Sequence, residues 1–192
     1  MNEPQKQLQR IGIFQQVRSL KESILLGSDF EGHGECFWWT ACGAIVLRRY
    51  GLKPVIQAGD AQWPILDPKC DDGKCSTHFS YMWSERDPNV SKMNMLLGGL
   101  PEIHTWLGLV ETQELIDFST GGIREQAEKH GLKWTAPDLP NFIWSNSKEL
   151  PEEVHYRPIK EATLFIHHYL QNDQSDPMQL LRAYAKSQRV MV

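Results

Sequence analysis

Residues 31–52 read EGHGECFWWTACGAIVLRRYGL, a glycine-rich approach followed by a run that is almost wholly apolar. The run begins at Phe37 and ends at two arginines and Gly51, which predicts a buried helix over 36–50. Cys36 then stands in the first turn, where unpaired backbone N–H groups and the helix dipole favour a thiolate. Three interpretations of this cysteine follow: a small core residue, a metal ligand or a nucleophile.

Composition bounds the class of protein. The chain has 192 residues, 41% of them hydrophobic and 23% charged, which suits one globular domain over 1–192 with a sizeable core. The net charge of -4, without a basic run, argues against nucleic acid and membrane surfaces as partners. No segment has the ~20 apolar residues of a membrane span, and the first residues lack the apolar centre of a secretory signal. We expect a cytoplasmic protein whose four cysteines are reduced.

The order of predicted elements indicates an α+β fold, because helices flank a series of mostly antiparallel strands. Helices are expected over 4–27 (as one or two), 36–50, 120–130, 158–171 and 176–188, and strands over 54–58, 63–66, 79–83, 102–110 and 114–119.

The last two strands form a hairpin, EIHTWLGLVETQELIDFST, that carries a histidine and an aspartate. A catalytic thiolate needs an imidazole partner, which in turn needs an orienting acceptor. A turn centred on 110–111 would place His104 and Asp117 directly opposite each other. A turn centred on 112–113 would slip them by four residues, roughly 13 Å along the strand. We expect an irregular turn near 110–113 that reconciles the two registers.

These features resemble the transglutaminase-like branch of the papain-like cysteine enzymes. A cysteine opens a buried helix, His-x-Trp follows on a strand (HTWLGL), and an aspartate lies on the next strand (LIDFST), within about residues 30–120. The resemblance implies a Cys helix packed on an antiparallel sheet, with extra helices at both termini. It also implies that Cys36 is the nucleophile, that His104 is the general base and then acid, and that Asp117 orients His104.

The activity that the resemblance implies is a thiol-dependent hydrolase or acyl transferase. It would act on an amide, peptide, ester or thioester carbonyl of a small molecule, peptide or protein, without a cofactor. The papain branch places an oxyanion-stabilising glutamine shortly before its cysteine, and SDFEGHGEC contains none. Besides the backbone N–H of Cys36, the candidates for the oxyanion hole or the cleft are His33, Trp38, Trp83 and Trp106. Phe142 and Trp144, in a proline-punctuated segment, are expected to bound the cleft.

The alternatives come from other classes of protein. In CDDGKCSTH, Cys70, Cys75 and His78 have a loose zinc-loop spacing, and Cys70 and Cys75 could instead form a redox pair or lie in an idle surface loop. A zinc-binding or non-catalytic binding module with the same fold would then replace the enzyme. Cys42 is expected to pack in the core, since it lies about 240° around the helix from Cys36.

Overall fold

The computed structural model describes residues 2–26, 34–65, 78–83, 103–146 and 148–191. Within them the chain is an α+β fold of five α-helices on a curled, six-stranded antiparallel sheet. The helices are α1 (Glu3–Leu25), α2 (Glu35–Arg49), α3 (Ile123–Lys129), α4 (Lys160–Asn172) and α5 (Asp176–Ser187). The strands are β1 (Pro54–Pro64), β2 (His78–Tyr81), β3 (His104–Leu109), β4 (Glu114–Asp117), β5 (Ile143–Asn146) and β6 (His155–Pro158).

The sheet is organised around β1, which pairs with β2, β3 and β6. The strand order is β2-β1-β3-β4-β5, and β6 joins at β1 outside this path. Gly59 permits the junction with β6, since a Cβ there would lie 2.3 Å from the Arg157 carbonyl oxygen. This close approach places β6, and therefore Tyr156, beside β1, which also pairs with β3.

Two apolar clusters cover the two faces of the sheet. The first is formed by α1, α2, α4 and α5 against β1, β3 and β4. The second is built around Trp63, Trp106 and Leu115 and is closed by α3 and Trp134. Along β3, Thr105 faces Thr40 of α2, whereas Trp106 belongs to the second cluster, as expected from the alternation of side chains in a strand.

Helix α2 lies unusually close to the sheet. A Cβ on Gly43 would stand 2.7 Å from the Phe118 ring and 3.0 Å from Leu107. The burial of α2 is nearly complete from Phe37 to Leu47, as the apolar run predicted. This contact sets the distance between the middle of α2 and the sheet.

The predicted elements are present with small shifts in their ends, and α+β is confirmed. The pieces 54–58 and 63–66 form one strand, β1, instead of two. Strands β5 and β6 were not predicted, because their segment is rich in proline and polar residues and has no clear alternation. Among the described residues, no helix has the length and apolar character needed to cross a membrane.

The aromatic rings of the β5 region pack against α1. Phe142 stacks on Phe14 with ring centroids 5.1 Å apart, and Arg10 lies 5.2 Å from the centre of the Trp144 ring. These contacts place both rings in the layer that joins α1 to the sheet edge. The expectation that they bound the cleft receives no support from them.

Candidate active site

Cys36 is the second residue of α2. The helix starts after Gly34, whose φ of 79° is readily adopted by glycine, and the first intrahelical bond of α2 runs from the Trp38 N–H to the Gly34 carbonyl at 3.3 Å. The N–H groups of Cys36 and its neighbours in the first turn precede that bond. They leave a positive helix end beside the sulfur, as the sequence predicted.

The histidine and the aspartate meet through a register that lies between the two considered above. Leu107 pairs with Ile116, so that Asp117 stands opposite Trp106 and two residues away from the position opposite His104. The cause is the four-residue turn 110–113, in which Gln113 has a φ of 56°. Neither of the two alternative registers forms, while the expected irregular turn near 110–113 is present.

A diagonal neighbour across an antiparallel pair is still within reach of a long side chain. The His104 Nε2 lies 2.7 Å from the Asp117 Oδ2, and both side chains are almost completely buried. A buried pair with this geometry fixes the ring orientation and leaves Nδ1 as the free ring nitrogen. Nδ1 finds no hydrogen-bond partner of good geometry within the described parts of the chain.

Four hydrogen bonds hold the Asp117 carboxylate. Oδ1 accepts from the backbone N–H of Ser119 at 2.9 Å and from its hydroxyl at 2.6 Å. Oδ2 accepts from His104 and from the Tyr156 hydroxyl, each at 2.7 Å. Asp117 therefore has two roles: one oxygen organises the turn at Ser119, and the other orients the imidazole.

Aromatic rings enclose His104. Trp63 meets its ring edge-on with centroids 4.8 Å apart, Tyr81 stacks on it at 5.6 Å, and Trp106 and Tyr156 lie at 6.2 and 6.0 Å. These rings exclude water from the imidazole on several sides. Their negative faces also favour an imidazolium over a neutral ring.

Cys36 and His104 act on each other electrostatically. The half-buried Cys36 thiol donates to the Ile103 carbonyl, 3.7 Å from the sulfur. Burial would raise the pKa of Cys36, but the neighbouring imidazole of His104 and hydrogen bonding by Thr105 lower it below the usual value.

The pKa values of the other two groups move in the directions that stabilise charge. Burial opposes the imidazolium, yet the Asp117 carboxylate and then Cys36 raise the pKa of His104 to about 10. Burial likewise opposes the Asp117 carboxylate, and His104 and Ser119 lower its pKa overall. Together, the three shifts favour the charged forms: a Cys36 thiolate, a His104 imidazolium and an Asp117 carboxylate.

The other candidates for the oxyanion hole or the cleft have different surroundings. Trp38 is buried in the first cluster with its ring edge-on to Phe37. The Trp106 indole donates to Gln57 at 2.7 Å, so its N–H is already used. Trp83 is partly buried against the first cluster, and His33 lies outside the described residues.

The remaining cysteines separate into two cases. Cys42 is completely buried in the first cluster, as predicted, and burial raises its pKa to about 12. Cys70 and Cys75 lie outside the described residues, and His78 opens β2. Within the described ranges no group of three potential metal ligands occurs. Because Cys70 and Cys75 lie outside these ranges, the zinc alternative remains a prediction.

Two residues of the site were missed in the sequence. Ser119 follows Asp117 by two positions, a spacing at which an aspartate often caps a turn, so a local signal existed. Tyr156 had none, because it is 39 residues from Asp117 and sits between polar residues in an unpredicted strand. Only the pairing of β6 with β1 brings it to the site.

Comparison with known proteins gives the fold and no activity. No model of a known protein family matches the chain, and no curated protein matches it. The crystal structure of a genomics target without a functional name aligns with a TM-score of 0.53 at 14% identity, covering 92% of this chain and 77% of the other. At this identity the likeness establishes a shared fold alone.

Proposed function

We propose that this protein is a thiol-dependent hydrolase or acyl transferase of the transglutaminase-like, papain-like kind, with Cys36, His104 and Asp117 as its catalytic triad. The observation that carries the proposal is the buried His104–Asp117 pair, whose ring nitrogen Nδ1 is unengaged beside a cysteine at a helix start. A histidine that served packing alone would not need a buried carboxylate held by four hydrogen bonds. The order Cys, His, Asp and the His-x-Trp feature support the same family.

The reaction begins when the Cys36 thiolate attacks a substrate carbonyl carbon. The carbonyl π electrons move to oxygen, and the oxyanion lies at the positive end of α2, within reach of the Cys36 N–H. His104, protonated at Nδ1, gives that proton to the leaving amine, alcohol or thiol as the carbon–leaving group bond breaks. The product of this half-reaction is a thioester on Cys36.

The second half-reaction returns the enzyme to its starting form. Water or an amine attacks the thioester while His104 Nδ1 accepts its proton, and the Cys36 thiolate leaves when the new tetrahedral species collapses. Asp117 stays ionised in both halves, because it fixes the Nε2–H tautomer and balances the imidazolium charge. A small molecule, peptide or protein could supply the acyl group.

The test is capture of the acyl-enzyme. The protein is mixed with activated ester, thioester and amide acyl donors, quenched in acid, and analysed by intact-mass and peptide mass spectrometry. We expect one acyl group per chain, located on Cys36, with release of the leaving group in a burst. Cys36→Ala and His104→Ala should show neither acylation nor turnover.

Cys42→Ala is the matched control, because it removes a cysteine of the same helix that faces the core. It should acylate like the wild type. Equal acylation and turnover in Cys36→Ala and the wild type would disprove the proposal.

A further inference from the structure

Tyr156 donates its phenol proton to the one Asp117 oxygen that also binds His104. Its hydroxyl lies 2.7 Å from Oδ2, and the Trp63 indole N–H donates to the same hydroxyl at 3.2 Å. A chain of hydrogen bonds thus runs from Trp63 through Tyr156 and Asp117 to His104. Of the four bonds to the carboxylate, the Tyr156 bond is the one that competes with His104 for Oδ2.

We propose that Tyr156 is a positioning residue that sets the charge balance of the triad, a role that rests on the function proposed above. Its donation withdraws negative charge from Oδ2, so that the carboxylate neutralises less of the positive charge on His104. More of that charge then acts on Cys36. The phenol would in this way favour the thiolate at lower pH.

The protonation state of Tyr156 suits this role. Burial and the neighbouring Asp117 carboxylate hold the pKa of the phenol well above its usual range. Tyr156 therefore remains a donor over the whole range in which the enzyme could work. A serine or a water at this point would lack the ring that packs edge-on against Trp63 and Trp106, with centroids 5.8 and 5.2 Å away.

Other titratable groups near the triad can be distinguished from Tyr156. Tyr81 stacks on His104, and burial together with the nearby charges of Cys36 and Asp117 raises the pKa of its phenol. Glu35 precedes Cys36 and forms an ion pair with Lys21. Neither Tyr81 nor Glu35 has a hydrogen bond to Asp117 among those found in the described residues.

The variant Tyr156→Phe removes the hydroxyl and keeps the ring packing. The rate of alkylation of Cys36 by iodoacetamide is measured against pH by peptide mass spectrometry, with p-nitrophenyl acetate hydrolysis as a second readout. We expect the onset of Cys36 labelling to move to higher pH by about half a pH unit, which slows labelling about three-fold on the rising part of the curve. A role in packing alone would lower the melting temperature without moving this curve.

Tyr184→Phe is the matched control. Like Tyr156→Phe, it removes a phenol hydroxyl, here one that accepts a hydrogen bond from Arg49. Arg49 is the last residue of α2 and lies about 20 Å from Cys36 along the helix. Its labelling curve should coincide with that of the wild type. Coincident curves for Tyr156→Phe and the wild type would overturn the inference.

Fluorotyrosine provides a second test that does not depend on the stability of Tyr156→Phe. Site-specific replacement of Tyr156 alone by the more acidic 3-fluorotyrosine strengthens this one donor, so the onset of labelling should move to lower pH. An onset of labelling that stays at the same pH, or that moves to higher pH, would contradict the inference. Failure of the proposed function would look different, because Cys36 of the wild type would then titrate as an ordinary thiol in every sample.

Discussion

His104 and Asp117 are hydrogen-bonded across the hairpin, although Asp117 stands opposite Trp106 in the β3–β4 register. The four-residue turn sets this diagonal relation, and the length of the two side chains closes it to 2.7 Å. The orientation of the imidazole therefore depends on one carboxylate that four hydrogen bonds hold in place.

Replacing that carboxylate should lower the activity while leaving the fold in place. Asp117→Asn keeps the shape of the side chain but favours the wrong imidazole tautomer, and by analogy with serine triads kcat/KM should fall by about three to four orders of magnitude. Steady-state hydrolysis of p-nitrophenyl acetate measures the loss. Asp138→Asn, which alters an exposed aspartate paired with Arg124, should retain full activity. Similar rates for Asp117→Asn and Asp138→Asn would remove Asp117 from the triad.

The two α2 cysteines should differ in reactivity in the native state. Cys36 has a lowered pKa and is half-buried, whereas burial raises the pKa of Cys42 to about 12. At neutral pH we expect iodoacetamide to label Cys36 rapidly and Cys42 only after unfolding in guanidinium. Peptide mass spectrometry over a time course gives both rates. Labelling of Cys42 at the rate of Cys36 in the folded protein would be inconsistent with the described packing.

The buried pair should also give stability a defined pH dependence. The raised pKa of His104 contributes stability that is complete below its unfolded value of 6.5 and is lost as pH rises toward about 10. The lowered pKa of Asp117 contributes stability that is complete above 3.8 and is lost as pH falls below that value. The combined contribution is therefore greatest between these two unfolded values.

Chemical denaturation across pH measures this contribution. Cys36→Ala and the double variant Cys36→Ala/Asp117→Asn are compared, so that titration of the thiol does not enter. Their difference in unfolding free energy should reach about 3–5 kcal/mol near pH 5–6, the usual cost of removing one member of a buried pair. It should shrink on both sides, and a difference that is constant with pH would show that the pair is not ionised.

Two helical glycines should respond in opposite ways to alanine. Gly43→Ala forces a methyl group against Phe118 and Leu107, and overpacking of this kind costs about 1–3 kcal/mol. It should also reduce activity, because α2 would move away from β3. Gly12→Ala has open space around its new Cβ and should stabilise α1 by up to about 1 kcal/mol without changing activity. Thermal unfolding and ester hydrolysis of both variants test the pair.

Much of the site could be predicted because its signals are local. The apolar run after Cys36 indicates a buried helix, and the spacing of His104 and Asp117 on two strands gives the correct face. The register could not be predicted, since it depends on the left-handed conformation of Gln113 within a polar turn. Tyr156 was beyond sequence reasoning, because only the close approach of β6 at Gly59 brings it to Asp117.

The central claim is that Cys36 and His104 form a thiolate–imidazolium pair. The most direct test is the pH dependence of iodoacetamide labelling of Cys36 in the wild type and in His104→Ala, with His155→Ala, which alters an exposed β6 histidine, as the control. We predict rapid labelling of the wild type and of His155→Ala to well below the ~8.5 of a free thiol, and a return to that value in His104→Ala. Identical curves in all three proteins, each centred on the free-thiol value, would contradict the account.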